Sequence, residues 1–127
     1  MRQLLIIPDR NDLKESLRLA SEYGAGFEYN DFFAPELLED EAKRQAAEAV
    51  YQGCVLPEYC TLHGAFYDVI PFSPDRRIRE VAGLRICQSV NTAKAVGAKA
   101  VVFHTGYNPC LNSESYVNRW IDTNEKV

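Results

Sequence analysis

Apolar residues in this chain fall into short runs that alternate with longer segments of helical spacing. The short runs lie at residues 3–7, 25–29, 59–62 and 100–103, and a polar or turn residue follows each one. Runs of this length predict strands. We expect the first strand to be buried on both faces of a parallel sheet and the last to be a buried parallel strand. The pattern therefore predicts four strands whose ends carry polar side chains.

The segments between and after these runs repeat apolar residues every three or four positions, as one face of a helix does. Capping residues precede the segments, and glycine ends three of them. Each segment is predicted to form one uninterrupted helix. The predicted helices run from Asn11 or Asp12 to Gly24, from Pro35 to Gly53, from Asp75 to Gly97, and from Ser113 or Ser115 onward.

Strand and helix alternate four times, which predicts an α/β fold with parallel strands and right-handed crossovers. We treat residues 1–127 as one domain. An eight-stranded barrel needs roughly 250 residues, about twice this length. A four-stranded half would leave two strand edges and an apolar face uncovered. Three explanations stay open: the amino-terminal piece of a longer protein, two copies meeting edge to edge, or an open flavodoxin-like sheet with helices on both faces.

Two of the predicted strands end in histidine. His63 follows the third strand and His104 the fourth, and the chain contains no other histidine. Ligands bind at the carboxyl ends of parallel strands, so we expect both imidazoles at one site. They suit metal ligation or hydrogen bonding to hydroxyl groups. Glu28, near the end of the second strand, is a third candidate for substrate binding. Without a ligand, the histidines would simply pack at the strand ends and Glu28 would be a solvated loop acid.

Aromatic and basic residues lie near these strand ends. Phe66 and Tyr67 follow His63, and Tyr107 follows His104, where they would pack on a sugar ring or simply cover the site. Arginines within residues 76–79 stand at a predicted helix start, where they would meet a sugar phosphate or form a solvated face. None of these groups is specific by itself.

Charge and composition narrow the class of protein. The net charge of −4 shows no basic excess, which disfavours nucleic acid as a partner. No run approaches the roughly 20 apolar residues of a membrane helix, and the first apolar stretch is too short for a signal peptide, so we expect no membrane partner and a cytoplasmic location. The four cysteines form no CxxC pair, and we expect free thiols.

Three segments together resemble a known family. They are Leu62-His63-Gly64-Ala65-Phe66-Tyr67-Asp68, then Ser73-Pro74-Asp75 with residues 76–80, and residues 93–107. They look like the third and fourth strand-helix units of the xylose isomerase-like TIM barrels, and residues 26–28 are similar to the second unit. That superfamily joins sugar phosphate isomerases and epimerases with apurinic endonucleases of the endonuclease IV type. The resemblance implies a parallel (βα)4 unit, the amino-terminal half of a TIM (β/α)8 barrel.

The resemblance also implies a divalent metal, Mn, Mg, Co or Zn, at the carboxyl face of the complete barrel. In the endonuclease IV branch the histidines ending strands three and four are zinc ligands, which would correspond to His63 and His104. In the isomerase branch those histidines more often contact substrate, and later strands supply the metal ligands and the catalytic acids and bases. Those strands are absent here, so the catalytic residues have no counterpart in this chain.

We therefore expect a sugar phosphate isomerase or epimerase that transfers a proton with the help of a metal, once the barrel is complete. Its partner would be a small sugar or sugar phosphate bound by Glu28, His63 and His104. This chain alone is expected to be inactive. Two alternatives stay open: a zinc-dependent apurinic endonuclease, and a half barrel without catalysis that self-associates, as in a homodimer that completes the barrel.

Overall fold

The computed structural model describes residues 3–126 and contains one four-stranded parallel sheet. The strands follow one another across the sheet in chain order, β1-β2-β3-β4, without a reversal. This confirms the predicted α/β class and parallel pairing. A flavodoxin-like sheet reverses its strand order, so the order seen here does not match that alternative. The strands are β1 (Leu5–Ile6), β2 (Gly26–Tyr29), β3 (Cys60–His63) and β4 (Ala100–Val102).

Five helices accompany the sheet, and side-chain caps begin four of them. The carboxylates of Asp12 and Asp75 and the hydroxyl of Ser113 accept backbone N–H groups in the first turns of α1, α4 and α5, as predicted. A short 3-10 turn, Arg10–Asp12, precedes α1. The helices are α1 (Leu13–Tyr23), α2 (Pro35–Glu39), α3 (Glu41–Gln52), α4 (Arg76–Ala95) and α5 (Glu114–Asn124). None of the helices within residues 3–126 has the length and apolar character needed to cross a membrane.

The single helix predicted from Pro35 to Gly53 is wrong, because two helices occupy this segment. Asp40 adopts an extended backbone conformation, with φ −90° and ψ 96°, and its carboxylate accepts the N–H of Lys43 to cap α3. The guanidinium of Arg44 donates to the carbonyl of Leu38 at 2.9 Å, which satisfies the end of α2. Local side-chain bonds of this kind compete with helix continuation, although the apolar spacing runs on across the break.

The main hydrophobic core lies on one face of the sheet. The register pairs Ile6 with Phe27 and Phe27 with Cys60, and all three belong to this core. Residues of α1, α3 and α4 complete it, so these helices cover the same face. The strand residues of opposite parity, among them Glu28 and His63, point to the other face, which contributes nothing to that core.

The expected burial of the first strand on both faces is wrong, and so is the expected burial of the last strand. Leu4 and Ile7 beside β1 are 52% and 63% exposed, and Val102 of β4 is 43% exposed. Each of these strands has one neighbour only, and within residues 3–126 the main core lies on one face of the sheet alone. An apolar run predicts a buried strand, but the actual burial depends on whether the strand lies in the middle or at the edge of the sheet.

Gly26 lets β2 approach its neighbours closely, and this predicts a stability difference between two glycines. A Cβ at Gly26 would lie 1.9 Å from the carbonyl oxygen of Tyr59 and 2.9 Å from the Leu5 side chain, whereas a Cβ at Gly83 in α4 meets nothing within 4 Å. We expect Gly26→Ala to lower the free energy of unfolding by about 2 kcal/mol or more. Gly83→Ala should raise it by roughly 0.5–1 kcal/mol, since alanine favours helix.

Urea unfolding followed by circular dichroism measures both variants against the parent chain. Equal stability of Gly26→Ala and the parent would contradict the close packing of β2 against the residue that precedes β3.

Candidate functional site

The two histidines meet at the carboxyl end of the sheet, as the sequence predicts. His63 ends β3 and pairs in register with Val102, and His104 lies two residues further along the chain that leaves β4. The Nε2 atoms of the two imidazoles are 3.1 Å apart. His63 is half-buried and His104 is exposed. This pair, His63 and His104, is called the histidine pair below.

Backbone contacts hold the ring of His63. Its Nδ1 lies 3.1 Å from the carbonyl oxygen of Gly64, and because a carbonyl only accepts, Nδ1 carries the proton and donates. In the neutral ring Nε2 is then unprotonated and directs its lone pair at His104. The Gly64 amide in turn donates to the Val102 carbonyl at 2.9 Å, which ties the segment after β3 to β4. The Phe103 ring covers Gly64 so closely that a Cβ there would lie 2.4 Å from it.

An aromatic wall stands beside the histidine pair and consists of Phe33, Phe66 and Tyr67. The Phe66 ring stacks on His104 with centroids 5.0 Å apart and planes 17° apart, and it stacks on Phe33 at the same centroid distance. It also meets the edge of His63 at 5.3 Å. Tyr67 packs against both phenylalanines. The wall restricts rotation of the imidazoles and gives the site one apolar side.

Phe33 was missed as a site residue because it lies beyond the end of strand two, far from either histidine in sequence. Its only sequence signal is the Phe32-Phe33 pair directly after Asp31. Phe32 is fully buried in the core, whereas Phe33 is half-buried and reaches the site. Tyr107 does not join the wall, because its ring packs against Trp120 of α5 at 4.9 Å.

Glu28 lies on the same face of the sheet as His63, and it is the last but one residue of β2. It pairs in register with Thr61, two residues before His63, and it is half-buried. The role of Glu28 in substrate binding stays a prediction.

Within residues 3–126, no group of three or more His, Cys, Asp or Glu side chains is arranged to hold a metal ion.

Asp31, the next acidic residue after Glu28, contacts two other side chains. The hydroxyl of Tyr51 donates to the Asp31 carboxylate, and Arg10 approaches the same carboxylate at 3.9 Å. Burial, and then the hydrogen bond to Asp31, raises the pKa of the Tyr51 phenol well above its ordinary value. Asp31 thus holds α3 against the end of β2, and turn chemistry accounts for it without a ligand.

Two arginines at the start of α4 also have partners. Arg76 pairs with Glu80 at 3.1 Å on the exposed helix surface. The guanidinium of Arg79 donates to the carbonyls of Ser73 and Pro74 at 2.7 and 2.9 Å. Only the side chain of Arg77, among the three predicted as phosphate contacts, has no hydrogen bond or ion pair within the described part of the chain.

Comparison with known proteins finds a similar solved structure. No family model matches the chain, and no curated protein is similar to it. The TTHB071 protein from Thermus thermophilus, in a structure obtained by soaking with zinc chloride, superposes with a TM-score of 0.67 and 24% sequence identity. The match covers 97% of this chain and 47% of that one, so this chain spans about half the length of the Thermus protein. At this identity the likeness shows a shared fold alone.

The hydrogen bonds of the histidine pair predict opposite tautomers in the neutral, metal-free protein. His63 should carry its proton on Nδ1, because that atom donates to the Gly64 carbonyl. His104 should carry its proton on Nε2, because it donates to the unprotonated Nε2 of His63. Long-range ¹H–¹⁵N correlation spectra, recorded at a pH where both rings are neutral, distinguish the tautomers directly. Protonation of His63 at Nε2 alone would contradict this geometry.

Proposed function

We propose that this chain forms half of a (β/α)8 barrel whose site at the carboxyl end assists proton transfer on a sugar or sugar phosphate, as an isomerase or epimerase does. The observation that carries the proposal is the histidine pair, with two Nε2 atoms 3.1 Å apart at the strand ends where barrel enzymes bind ligands. The resemblance of the two His-containing segments to the xylose isomerase-like barrels supplies the reaction class.

Strand order supports the half barrel. Four consecutive parallel strands, with the main core on one face, correspond to the arrangement of one half of such a barrel. The outer edges of β1 and β4 are where further strands would pair, and exposed Ile7 and Val102 lie beside these edges. The fold match to about half of the Thermus protein agrees with this interpretation. Either a second half in a longer chain or a second copy of this chain would complete the barrel.

The histidine pair fits a divalent metal. Two nitrogens bound to one tetrahedral zinc at about 2.0–2.1 Å lie roughly 3.3 Å apart, close to the separation of the two Nε2 atoms. The Nδ1–H bond from His63 to the Gly64 carbonyl is the outer hydrogen bond that metal-bound histidines usually make. Imidazole suits zinc, and the zinc soak of the similar Thermus protein makes zinc the first metal to test.

A metal held by His63 and His104 would supply positive charge that polarises substrate oxygens. The other residues at this end have complementary tasks. Phe66 and Tyr67 would pack against the apolar face of a sugar and exclude water from it. Glu28 would accept hydrogen bonds from hydroxyls. The base that removes the carbon-bound proton would come from the half that completes the barrel.

One observation favours a second candidate, a zinc-dependent apurinic endonuclease. Two ligands of one metal must bring their nitrogens close together, as the two Nε2 atoms are here. Among the xylose isomerase-like barrels that this chain resembles, the corresponding histidines are zinc ligands in the endonuclease IV branch. The net charge of −4 weighs against a DNA substrate. Assays of sugar phosphate isomerisation and of abasic DNA nicking by the complete barrel separate the two functions.

The proposal predicts zinc binding that depends on both histidines. Isothermal titration of the chain with zinc chloride should give an affinity that falls by more than about 100-fold in His63→Ala and in His104→Ala, since each change removes a ligand and loss of an outer hydrogen-bond partner alone costs about 10- to 100-fold. The exposed cysteines offer matched controls. Cys54→Ser and Cys87→Ser should bind zinc like the parent chain. Affinity that is lost with the cysteines and kept without the histidines would contradict the site.

The proposal also predicts which form of the protein is active. If two copies complete the barrel, light scattering should give twice the 14.4 kDa of one chain, and we expect this dimer to lack isomerase activity, because the catalytic acids and bases have no counterpart in this chain. In a longer protein that contains both halves, His63→Ala should abolish turnover. Full turnover by that variant in the complete barrel would refute the role of the histidine pair.

A further inference from the structure

A second concave site lies at the same end of the sheet as the histidine pair and includes part of the loop that leaves β4. It is a cleft of about 530 Å³ between the segment preceding α4 and the beginning of α5. Gly106, two residues after His104, lines it, so it belongs to the same end of the sheet. We call it the α5 cleft. Side chains that line it include Ile70, Phe72, Ser73, Leu111, Tyr116 and Arg119.

The floor of the α5 cleft is apolar and held in place. Phe72 is buried, and its ring meets that of Tyr116 edge to face, with centroids 5.5 Å apart. Ile70 and Leu111 extend the apolar lining. Such an aromatic floor offers a packing surface to a planar apolar group.

The charge of the α5 cleft is positive, although the whole chain is acidic. Of the residues that the structure describes, Arg119 is the one charged residue in its lining, and none of the lining residues is aspartate or glutamate. Among residues 3–126 the Arg119 guanidinium has no ion pair or hydrogen bond to satisfy it. An arginine without a carboxylate partner, at the rim of an apolar cleft, is suited to binding an anionic group.

Two hydroxyl groups of the cleft have a proton to donate. The phenol oxygen of Tyr116 accepts the N–H of Asn108 at 2.7 Å, and this leaves its own proton free. The Ser73 hydroxyl oxygen accepts the N–H of Asp75 at 3.2 Å, with the same result. Both groups therefore offer donors to a ligand.

Two backbone carbonyls of the cleft lining are already paired. Arg79 donates to the carbonyl oxygens of Ser73 and Pro74. These acceptors would otherwise repel an anion. The lining thus combines one cation with two hydroxyl donors, and two of its carbonyls are already paired.

We propose that the α5 cleft binds a small ligand in which an apolar ring carries one anionic group, a carboxylate or a phosphate ester. The ring packs on Phe72 and Tyr116, and the anion binds Arg119 with the hydroxyls of Tyr116 and Ser73. This site is separate from the histidine pair, and the inference does not depend on the proposed sugar chemistry.

Titration of the full chain with phenyl phosphate tests the site. Chemical shifts of the Gly106 amide and of the Trp120 indole, which donates to the Thr105 carbonyl beside the cleft, report binding. Arg119→Gln should weaken binding about tenfold or more, because it removes a charge-assisted hydrogen bond. Arg77→Gln is the matched control, since it removes an equally unpaired arginine outside the cleft and should leave binding unchanged.

The ligand chemistry is tested with the same spectra. Benzyl alcohol, which lacks the charge, and inorganic phosphate, which lacks the ring, should each bind about tenfold or more weakly than phenyl phosphate. Benzoate compared with phenyl phosphate shows which anion the cleft prefers. Equal affinity of benzyl alcohol and phenyl phosphate would overturn the role of Arg119.

A further variant covers the case in which Arg119→Gln fails to fold. Tyr116→Phe keeps the aromatic floor and removes one donor, so we expect a several-fold weakening of phenyl phosphate binding. Variants at the histidine pair test whether the two sites are independent. His63→Ala should leave phenyl phosphate binding unchanged, and Arg119→Gln should leave zinc binding unchanged. Phenyl phosphate binding that is the same in Arg119→Gln and Arg77→Gln, or absent at millimolar concentration, overturns the proposal.

Discussion

The parallel pairing of β3 with β4 is the constraint on which the candidate site depends. Side chains alternate between the faces of a strand, and the register Thr61 with Ala100 and His63 with Val102 puts the histidine of each strand on the face away from the core. The Gly64 amide continues this ladder by donating to the Val102 carbonyl. A slip of one residue would turn His63 into the core and separate it from His104.

The same alternation divides the sheet into a face that carries the main core and a face that does not. The first face is covered by α1, α3 and α4. The second face carries Glu28 and His63 and ends at two strand edges with apolar residues exposed beside them. Stability and the candidate chemistry therefore belong to opposite faces, and the face with the chemistry is the one that a complete barrel would enclose.

The site at the carboxyl end combines residues from three connections. The segment after β2 supplies Phe33, the segment after β3 supplies Phe66, and the segment after β4 supplies His104, which Phe66 stacks against. The α5 cleft uses the next parts of the last two connections, from Phe72 and from Gly106 onward. Loops that leave the sheet thus form two candidate sites of different chemistry, one with paired imidazoles and one with an arginine that has no partner among residues 3–126.

Local pattern by itself determined the alternation of strands and helices, the cap at Asp75, and the convergence of His63 with His104, because periodicity, capping and strand-end polarity are properties of neighbouring residues. For the caps of α1 and α5 it left two candidates each, of which the structure selects Asp12 and Ser113. Three features depended on the tertiary structure. The break at Asp40 follows from contacts that end α2 and begin α3, the exposure of Ile7 and Val102 follows from the edge positions of their strands, and Phe33 and Arg119 acquire their roles from segments distant in sequence. Such contacts leave no periodic signal, since they are set by the packing of the whole chain.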